Sequence, residues 1–90
     1  MTTIRQIQIA VATRYDMSVA EMIRPCRDRR HYIPRAVAIR LARELTDASL
    51  PQIGRAFGGR HHATILHAIN RPLTDIDADI CGELRDAMRR

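Results

Sequence analysis

The chain has 90 residues, of which 46% are hydrophobic and 3% aromatic, and its formal net charge is +5. This length favours one domain over residues 1–90. No charged and apolar leader and no run of about 20 apolar residues is present, which argues against secretion or a membrane span. Two cysteines, Cys26 and Cys81, are too few for a disulfide framework, so a cytoplasmic protein with reduced thiols is expected.

The basic residues are unusual in kind and in distribution. All fifteen are arginines. Residues 1–72 carry twelve of them with five acidic residues, whereas residues 73–90 carry three with five. A basic body of this kind is typical of a nucleic-acid-binding protein. The preference for arginine fits recognition of phosphate and guanine, but a GC-rich gene would produce the same bias.

The composition, rich in alanine and poor in glycine and proline, favours helices throughout, with a core built from aliphatic side chains. An apolar face with helical spacing predicts the first helix over residues 3–14. Ser18 and Glu21 form a capping-box pattern at the start of a short second helix, which Pro25 ends. Residues 26–33 have no helical periodicity and are predicted to form a basic loop.

Pro34 opens the longest predicted helix, which runs to about Thr46. Its apolar stripe is expected to belong to the core and consists of Val37, Ala38, Leu41, Ala42 and Leu45.

Residues 49–71 have the pattern of two helices joined by a tight turn. Ser49 and Gln52 fit a helix N-terminus, in whose first turn Pro51 is tolerated. Gly58–Gly59 ends this helix, because glycine takes left-handed angles without steric cost. The apolar positions of the pair are Ile53, Phe57, Ile65, Leu66 and Ile69. Such a pair is the pattern of a helix-turn-helix, and the expected fold is an all-α compact bundle of about six helices.

The second helix of a helix-turn-helix presents its N-terminal residues to base edges in the major groove of DNA. In this chain those residues are Arg60, His61, His62, Ala63 and Thr64.

The last predicted helix begins after Pro72, with Thr74 and Asp77 as its N-terminal capping pair. It is amphipathic and has an acidic outer face, which could contact a protein partner. Its apolar row consists of Ile76, Ile80, Leu84 and Met88.

The individual amino acids of the central segment are more informative than its helix-turn-helix pattern. The run S-L-P-x-I-G-x-x-F-G-G-R-x-H-x-T-x-x-H-A, from Ser49 to Ala68, closely resembles domain IV, the C-terminal DNA-binding domain of the bacterial replication initiator DnaA family. A second run, P-R-x-x-x-x-x-L-A-R-E-L-T from Pro34 to Thr46, extends the resemblance, which covers roughly residues 4–72. It implies a Trp-repressor-like helix-turn-helix that binds double-stranded DNA at initiator-box-like sites, in replication initiation or its regulation.

The resemblance also implies roles for residues at the start of the recognition helix. His62 and Thr64 match family residues that contact bases and backbone, whereas His61 replaces an aspartate and Ala63 replaces a threonine. His67 either supports the DNA-contacting motif or packs internally. Because His61 and Ala63 fall where bases are read, the family's target sequence cannot be assumed for this chain.

Further contacts are implied outside the recognition helix. The family places an arginine of its basic loop in the adjacent minor groove, and the alignment puts Arg27 there. Arg29 corresponds to a second loop arginine and Arg35 to a phosphate-contacting one. Pro51, at the N-terminus of the first helix of the pair, and Arg60 are expected near phosphates. Each of these arginines could instead be a solvated surface charge.

Other classes of function have little support. Cysteines and histidines occur without the paired spacing of a zinc site, so no metal or other cofactor is expected. No phosphate-binding loop or nucleophile–base constellation is present, so the chain is not expected to be an enzyme or to contain the family's ATPase domain. The alternative to initiator-like binding is a protein-interaction module or transcriptional regulator that kept the fold and changed or lost initiator-box specificity.

Overall fold

The computed structural model of the chain describes residues 2–25 and 28–89. Over these ranges it contains helices and no strands, which confirms the all-α prediction. The six helices are α1 (Ile4–Arg14), α2 (Val19–Ile23), α3 (Arg29–Leu45), α4 (Leu50–Ala56), α5 (His62–Asn70) and α6 (Asp75–Met88). None of the helices in the described ranges is long and apolar enough to cross a bilayer.

Hydroxyl side chains begin four of the helices, each by accepting a hydrogen bond from a backbone N–H of the first turn that has no helical partner. Three were predicted and are confirmed: Ser18 for α2, Ser49 for α4 and Thr74 for α6. At Ser49 the capping box is complete, since the Gln52 side chain accepts from the Ser49 backbone N–H at 2.7 Å. The fourth cap is Thr3, which starts α1.

Helix α3 begins five residues earlier than predicted, so the expected basic loop over residues 26–33 is wrong for its second half. Asp28 caps the helix by accepting a hydrogen bond from the Arg30 backbone N–H at 3.1 Å. Pro34 consequently lies inside α3 and leaves the carbonyl of Arg30 without a helical donor. Because Arg30 is exposed, water can reach this part of the helix, which lowers the cost of the proline.

Helix α3 is the centre of the bundle and packs against each of the other five helices. Its predicted apolar stripe is confirmed, since Val37, Ala38, Leu41 and Ala42 are fully buried. The prediction of an aliphatic core needs one correction. Phe57 is the largest fully buried side chain and lies in the same cluster as Ile7, Val11, Met22, Ile39, Ile53 and Ile65.

Two apolar positions of the predicted helices lie on the surface. Leu66 is 45% exposed, because α5 turns Ile65 and Ala68 toward the core and Leu66 follows Ile65 by about 100° around the helix. Ile76 is 73% exposed. A row with four-residue spacing drifts by about 40° at each step, so the predicted row on α6 cannot face the core along its whole length. The buried residues of α6 are Ile80 and Cys81.

Polar side chains join the outer helices to one another. The buried Gln8 of α1 donates from Nε2 to the Ala56 carbonyl at the end of α4, at 2.8 Å. The Tyr15 hydroxyl donates to the Asp77 carboxylate of α6 at 2.8 Å. Burial, followed by this hydrogen bond, raises the pKa of Tyr15. Helix α6 thus packs against α3 and is joined to the C-terminal end of α1, and the surfaces of α4 and α5 are left for the candidate site.

Candidate nucleic-acid interface

The turn between α4 and α5 is built from glycines, as predicted. Gly58 and Gly59 have φ angles of 84° and 74°, which L side chains rarely adopt. Gly54, inside α4, lets the chain return closely over the helix. The Arg60 backbone N–H donates to the Gly54 carbonyl at 2.9 Å, and a Cβ atom on Gly54 would lie 2.2 Å from the Arg60 carbonyl oxygen. The absence of a side chain at Gly54 therefore determines how closely the two helices approach.

The predicted base-reading residues come together at the exposed beginning of α5. His61 is the N-cap, and its Nδ1 atom accepts a hydrogen bond from the Ala63 backbone N–H at 3.2 Å. The imidazole of His62 lies against that of His61, with ring centroids 4.1 Å apart. All residues from His61 to Thr64 are exposed. His67, one turn further, is exposed too, so it does not pack internally.

Arg60 belongs to the framework of this site. Its guanidinium donates to the carbonyl oxygens of Ile23 and Arg24, at 3.0 Å each, and to that of Phe57. Partial burial lowers the pKa of Arg60. These bonds join the turn before α5 to the end of α2.

Arg35 also lies inside the framework. Its side chain is only 6% exposed, and its Nη1 atom donates to the carbonyl oxygens of Met22 at 3.2 Å and of Arg24 at 3.0 Å. Its guanidinium also lies over the Tyr32 ring, 5.6 Å from the centroid. The carbonyl of Arg24 therefore accepts hydrogen bonds from two arginines, Arg35 and Arg60. The predicted contact of Arg35 with phosphate remains a prediction.

The basic segment lies beside this framework. Arg24 and Pro25 are exposed after α2, and Arg29 and Arg30 are exposed in the first turn of α3. Arg27, predicted for the minor groove, lies outside the described residues, as does Cys26. Asp28 uses its carboxylate to cap α3.

A groove runs between the start of α3 and α5, with a volume of about 610 Å³. It is lined by Pro25, Arg29, Tyr32, Arg35, Arg60, Thr64 and Arg71. The guanidinium of Arg71 lies over the Tyr32 ring, 4.8 Å from its centroid. The groove thus connects a predicted base-reading residue, Thr64, with Arg29, which was predicted as a DNA-contacting arginine of the basic loop.

Two residues of this groove were missed by the sequence reasoning. Arg71 follows His67 by four residues, so helical spacing from His67 could have indicated it. The carbonyl of Arg71 accepts a hydrogen bond from the Arg40 guanidinium, which holds the end of α5 against α3. No sequence pattern indicated Tyr32 as a residue of the site, because it falls in the segment predicted to be a loop.

The remaining predicted contact and the metal prediction concern other parts of the described chain. Pro51 is exposed in the first turn of α4, where backbone N–H groups are free of helical partners. Within residues 2–25 and 28–89, no three histidine, cysteine or acidic side chains form a group that could hold a metal ion.

Comparison with known proteins identifies this arrangement. A family model described as the bacterial dnaA protein helix-turn-helix matches residues 4–71. The chain is 54% identical over 66 residues to the chromosomal replication initiator protein DnaA of Methylobacillus flagellatus, a match that covers 73% of this chain and 14% of that protein. It is 44% identical over 85 residues to the protein of the same name from Cereibacter sphaeroides, covering 92% and 19% respectively. The chain therefore belongs to the bacterial DnaA helix-turn-helix family and corresponds to its DNA-binding domain IV.

Proposed function

We propose that this domain binds double-stranded DNA at initiator-box-like sequences, with the start of α5 in the major groove. The observation that supports this most directly is the row of exposed residues from His61 to Thr64 directly after the glycine turn. The N-terminal residues of the second helix are the part of a helix-turn-helix that contacts base edges.

The basic segment would contact the DNA beside α5. The carbonyl of Arg24, at the beginning of that segment, is bonded to both Arg35 and Arg60, and Arg60 directly precedes the α5 cap. These hydrogen bonds support a fixed position of the basic segment relative to the start of α5. In this proposal Arg27 enters the adjacent minor groove and Arg29 contacts phosphate.

The first turn of α3 supports a phosphate contact independently. Arg29 and Arg30 lie at the positive end of the helix dipole, where a cation is disfavoured by about 0.3–1 kcal/mol. A phosphate placed beside this helix end would interact favourably with both guanidinium groups. At Pro51, the N-terminus of a second helix, α4, would approach the phosphate backbone of the DNA.

We propose that binding serves replication initiation or its regulation in the bacterial cytoplasm. The relatives that carry this domain are named chromosomal replication initiators, and the chain spans between 14% and 19% of their length. DNA binding is the part of the initiator's work that this domain would perform. DNA binding alone is enough for the domain to occupy initiator-like sites or to compete for them.

Fluorescence anisotropy with the purified chain tests the proposal. The duplexes carry an initiator-type box, a scrambled box or a random sequence, each at two salt concentrations. We expect tight binding that prefers the box, with log affinity falling against log salt by about 0.9 for each phosphate contacted. Thr64→Ala should reduce the preference for the box, whereas Arg29→Ala should weaken binding to all duplexes equally.

A matched control separates specific contacts from total charge. Arg89→Ala removes the same charge as Arg29→Ala, but Arg89 is the C-cap of the acidic helix α6. It should leave affinity and salt slope nearly unchanged. Equal losses in the two variants would contradict a phosphate contact at α3, and absence of binding to every duplex would refute the proposed function.

The exposed side chain of Ile76 favours one alternative, a protein-interaction surface on α6. Ile76 lies beside the exposed acidic residues Asp75 and Asp79. Docking through an apolar side chain would respond little to salt, in contrast to DNA binding. The two salt concentrations therefore distinguish the two functions.

A further inference from the structure

The cap of α5 determines which hydrogen-bonding group His61 offers to a ligand. Its Nδ1 atom accepts the hydrogen bond from the Ala63 backbone N–H at 3.2 Å. An imidazole nitrogen that accepts carries no proton, and a neutral imidazole has one acceptor and one donor nitrogen. The cap therefore assigns the proton to Nε2, so His61 presents a hydrogen-bond donor.

The geometry of the ring directs this donor outward. The two nitrogens of an imidazole point in nearly opposite directions, so Nε2–H is directed away from the backbone that Nδ1 caps. The side chain is exposed, and the His62 ring lies against it with centroids 4.1 Å apart. The neighbouring Ala63 has no polar side-chain atom that could compete for the same base pair.

We infer that His61 is a specificity-determining residue that donates from Nε2 to a base and selects guanine over cytosine at the position it faces. The inference rests on the proposed function. In the major groove guanine offers two acceptors, N7 and O6, whereas cytosine presents an amino donor that would oppose the donor of His61. An aspartate at this position, as in the family pattern, has the opposite preference, because a carboxylate only accepts.

A selection experiment with His61→Asp tests the inference. Aspartate is among the best N-cap residues, so the variant keeps the start of α5, which thermal unfolding verifies. Wild type, His61→Asp and His61→Ala are each equilibrated with duplexes randomised across the site, and the bound fraction is sequenced. We expect one position to change from guanine in wild type to cytosine in His61→Asp, with about a tenfold reversal of preference. At that position His61→Ala should show no preference, and the other positions should stay the same in all three proteins.

The possible results are distinct. If His61→Asp lowers affinity for all sequences without changing the base selected at any position, His61 contacts phosphate and the inference is wrong. If wild type enriches guanine nowhere in the site, the inference is also wrong although the proposed function stands. If wild type binds no duplex above the level of a non-binding control protein, the proposed function itself fails.

Discussion

The carbonyl oxygen of Arg24 accepts hydrogen bonds from two arginines, Arg35 in helix α3 and Arg60 in the turn before α5. Arg35→Ala would remove the Nη1 donor from the carbonyl of the buried Met22, whereas the Arg24 carbonyl would keep its hydrogen bond from Arg60. The expected loss is about 1–3 kcal/mol in the free energy of unfolding, measured by urea denaturation.

The matched control for Arg35→Ala is Arg43→Ala, on the same helix. Arg43 is exposed near the end of α3, and substitutions at such positions usually change stability by less than about 0.5 kcal/mol. Equal and small effects of the two substitutions would show that Arg35 contributes nothing to the framework.

Asp28 is an acidic residue in a basic segment, and its function as a cap explains its presence. Asparagine caps as well as aspartate but carries no charge, so Asp28→Asn should keep the stability within about 0.5 kcal/mol and bind DNA more tightly, because repulsion from phosphate is removed. Asp28→Ala removes the same charge and also the cap, and should lose about 0.5–2 kcal/mol of stability. Urea denaturation and anisotropy measure the two effects separately. Unchanged affinity in both variants would place Asp28 away from the DNA.

Residue types were easier to predict than the direction in which their side chains point. The phosphate contacts of Arg35 and Arg60 stay predictions, but the sequence did not indicate that their guanidinium groups donate to backbone carbonyls. Arginine suits carbonyl and phosphate oxygens equally, so composition alone cannot separate the two uses. The exposed residues from His61 to Thr64 were predictable, because the glycine turn determines where α5 begins.

At the scale of elements, the crossing of α4 and α5 depends on Gly54. Gly54→Ala would place a Cβ atom 2.2 Å from the Arg60 carbonyl oxygen, so the turn or the helices must shift. We expect a loss of about 1–3 kcal/mol in the free energy of unfolding, together with weaker DNA binding because α5 is displaced.

The control for Gly54→Ala is the same substitution at Gly82, inside α6. A Cβ atom there would meet nothing within 4 Å, and alanine is favoured over glycine in a helix by about 0.5–1 kcal/mol. Gly82→Ala should therefore stabilise the protein and leave DNA binding unchanged. Thermal unfolding that moves in the same direction for both variants would contradict the close approach at Gly54.

The elements show why some boundaries could be predicted and others not. Caps with a hydroxyl side chain gave the correct starts of α2, α4 and α6. The start of α3 was missed because a proline usually marks the first turn of a helix, and here it lies in the sixth position. The exposure of Leu66 depends on the angle at which α5 packs on α3, which is a tertiary property.

For the whole molecule, the absence of lysine makes alkaline titration unusually informative. Lysine ordinarily titrates at about pH 10.4 and arginine above about pH 12, so in a chain without lysine changes between about pH 8 and pH 11 report mainly on cysteine and tyrosine. Burial raises the pKa of the Cys81 thiol, and burial with the Asp77 hydrogen bond raises the pKa of Tyr15. The unfolded chain therefore loses these protons first, and stability should fall as the pH rises above about 8.5.

Melting temperatures measured at intervals from pH 7 to pH 11 check this expectation. Tyr15→Phe removes the tyrosine contribution, so its melting temperature should fall less steeply above about pH 10 than that of wild type. Parallel pH profiles for the two proteins would show that Tyr15 titrates alike in the folded and unfolded chain.

Positive and negative charges lie on different parts of the molecule, as the sequence indicated. Exposed Arg29 and Arg71 line the groove, whereas four exposed acidic residues are on α6: Asp75, Asp79, Glu83 and Asp86. This separation was predictable, because it follows the chain order. The meeting of α5 with the beginning of α3 was not predictable from composition or spacing, because it depends on contacts between distant residues, such as that of the Arg71 guanidinium with the Tyr32 ring.

The double hydrogen bonding of the Arg24 carbonyl has a consequence for protein engineering. The residues that hold the frame, Arg35, Gly54 and Arg60, are distinct from the exposed residues of α5 that would read DNA. The side chains of His62, Ala63, Thr64 and His67 can be exchanged without touching a buried bond of the frame. The domain is therefore suited to construction of readers with new target sequences from one unchanged scaffold, whereas a transplanted α5 would need Gly54 and Arg60 transferred with it.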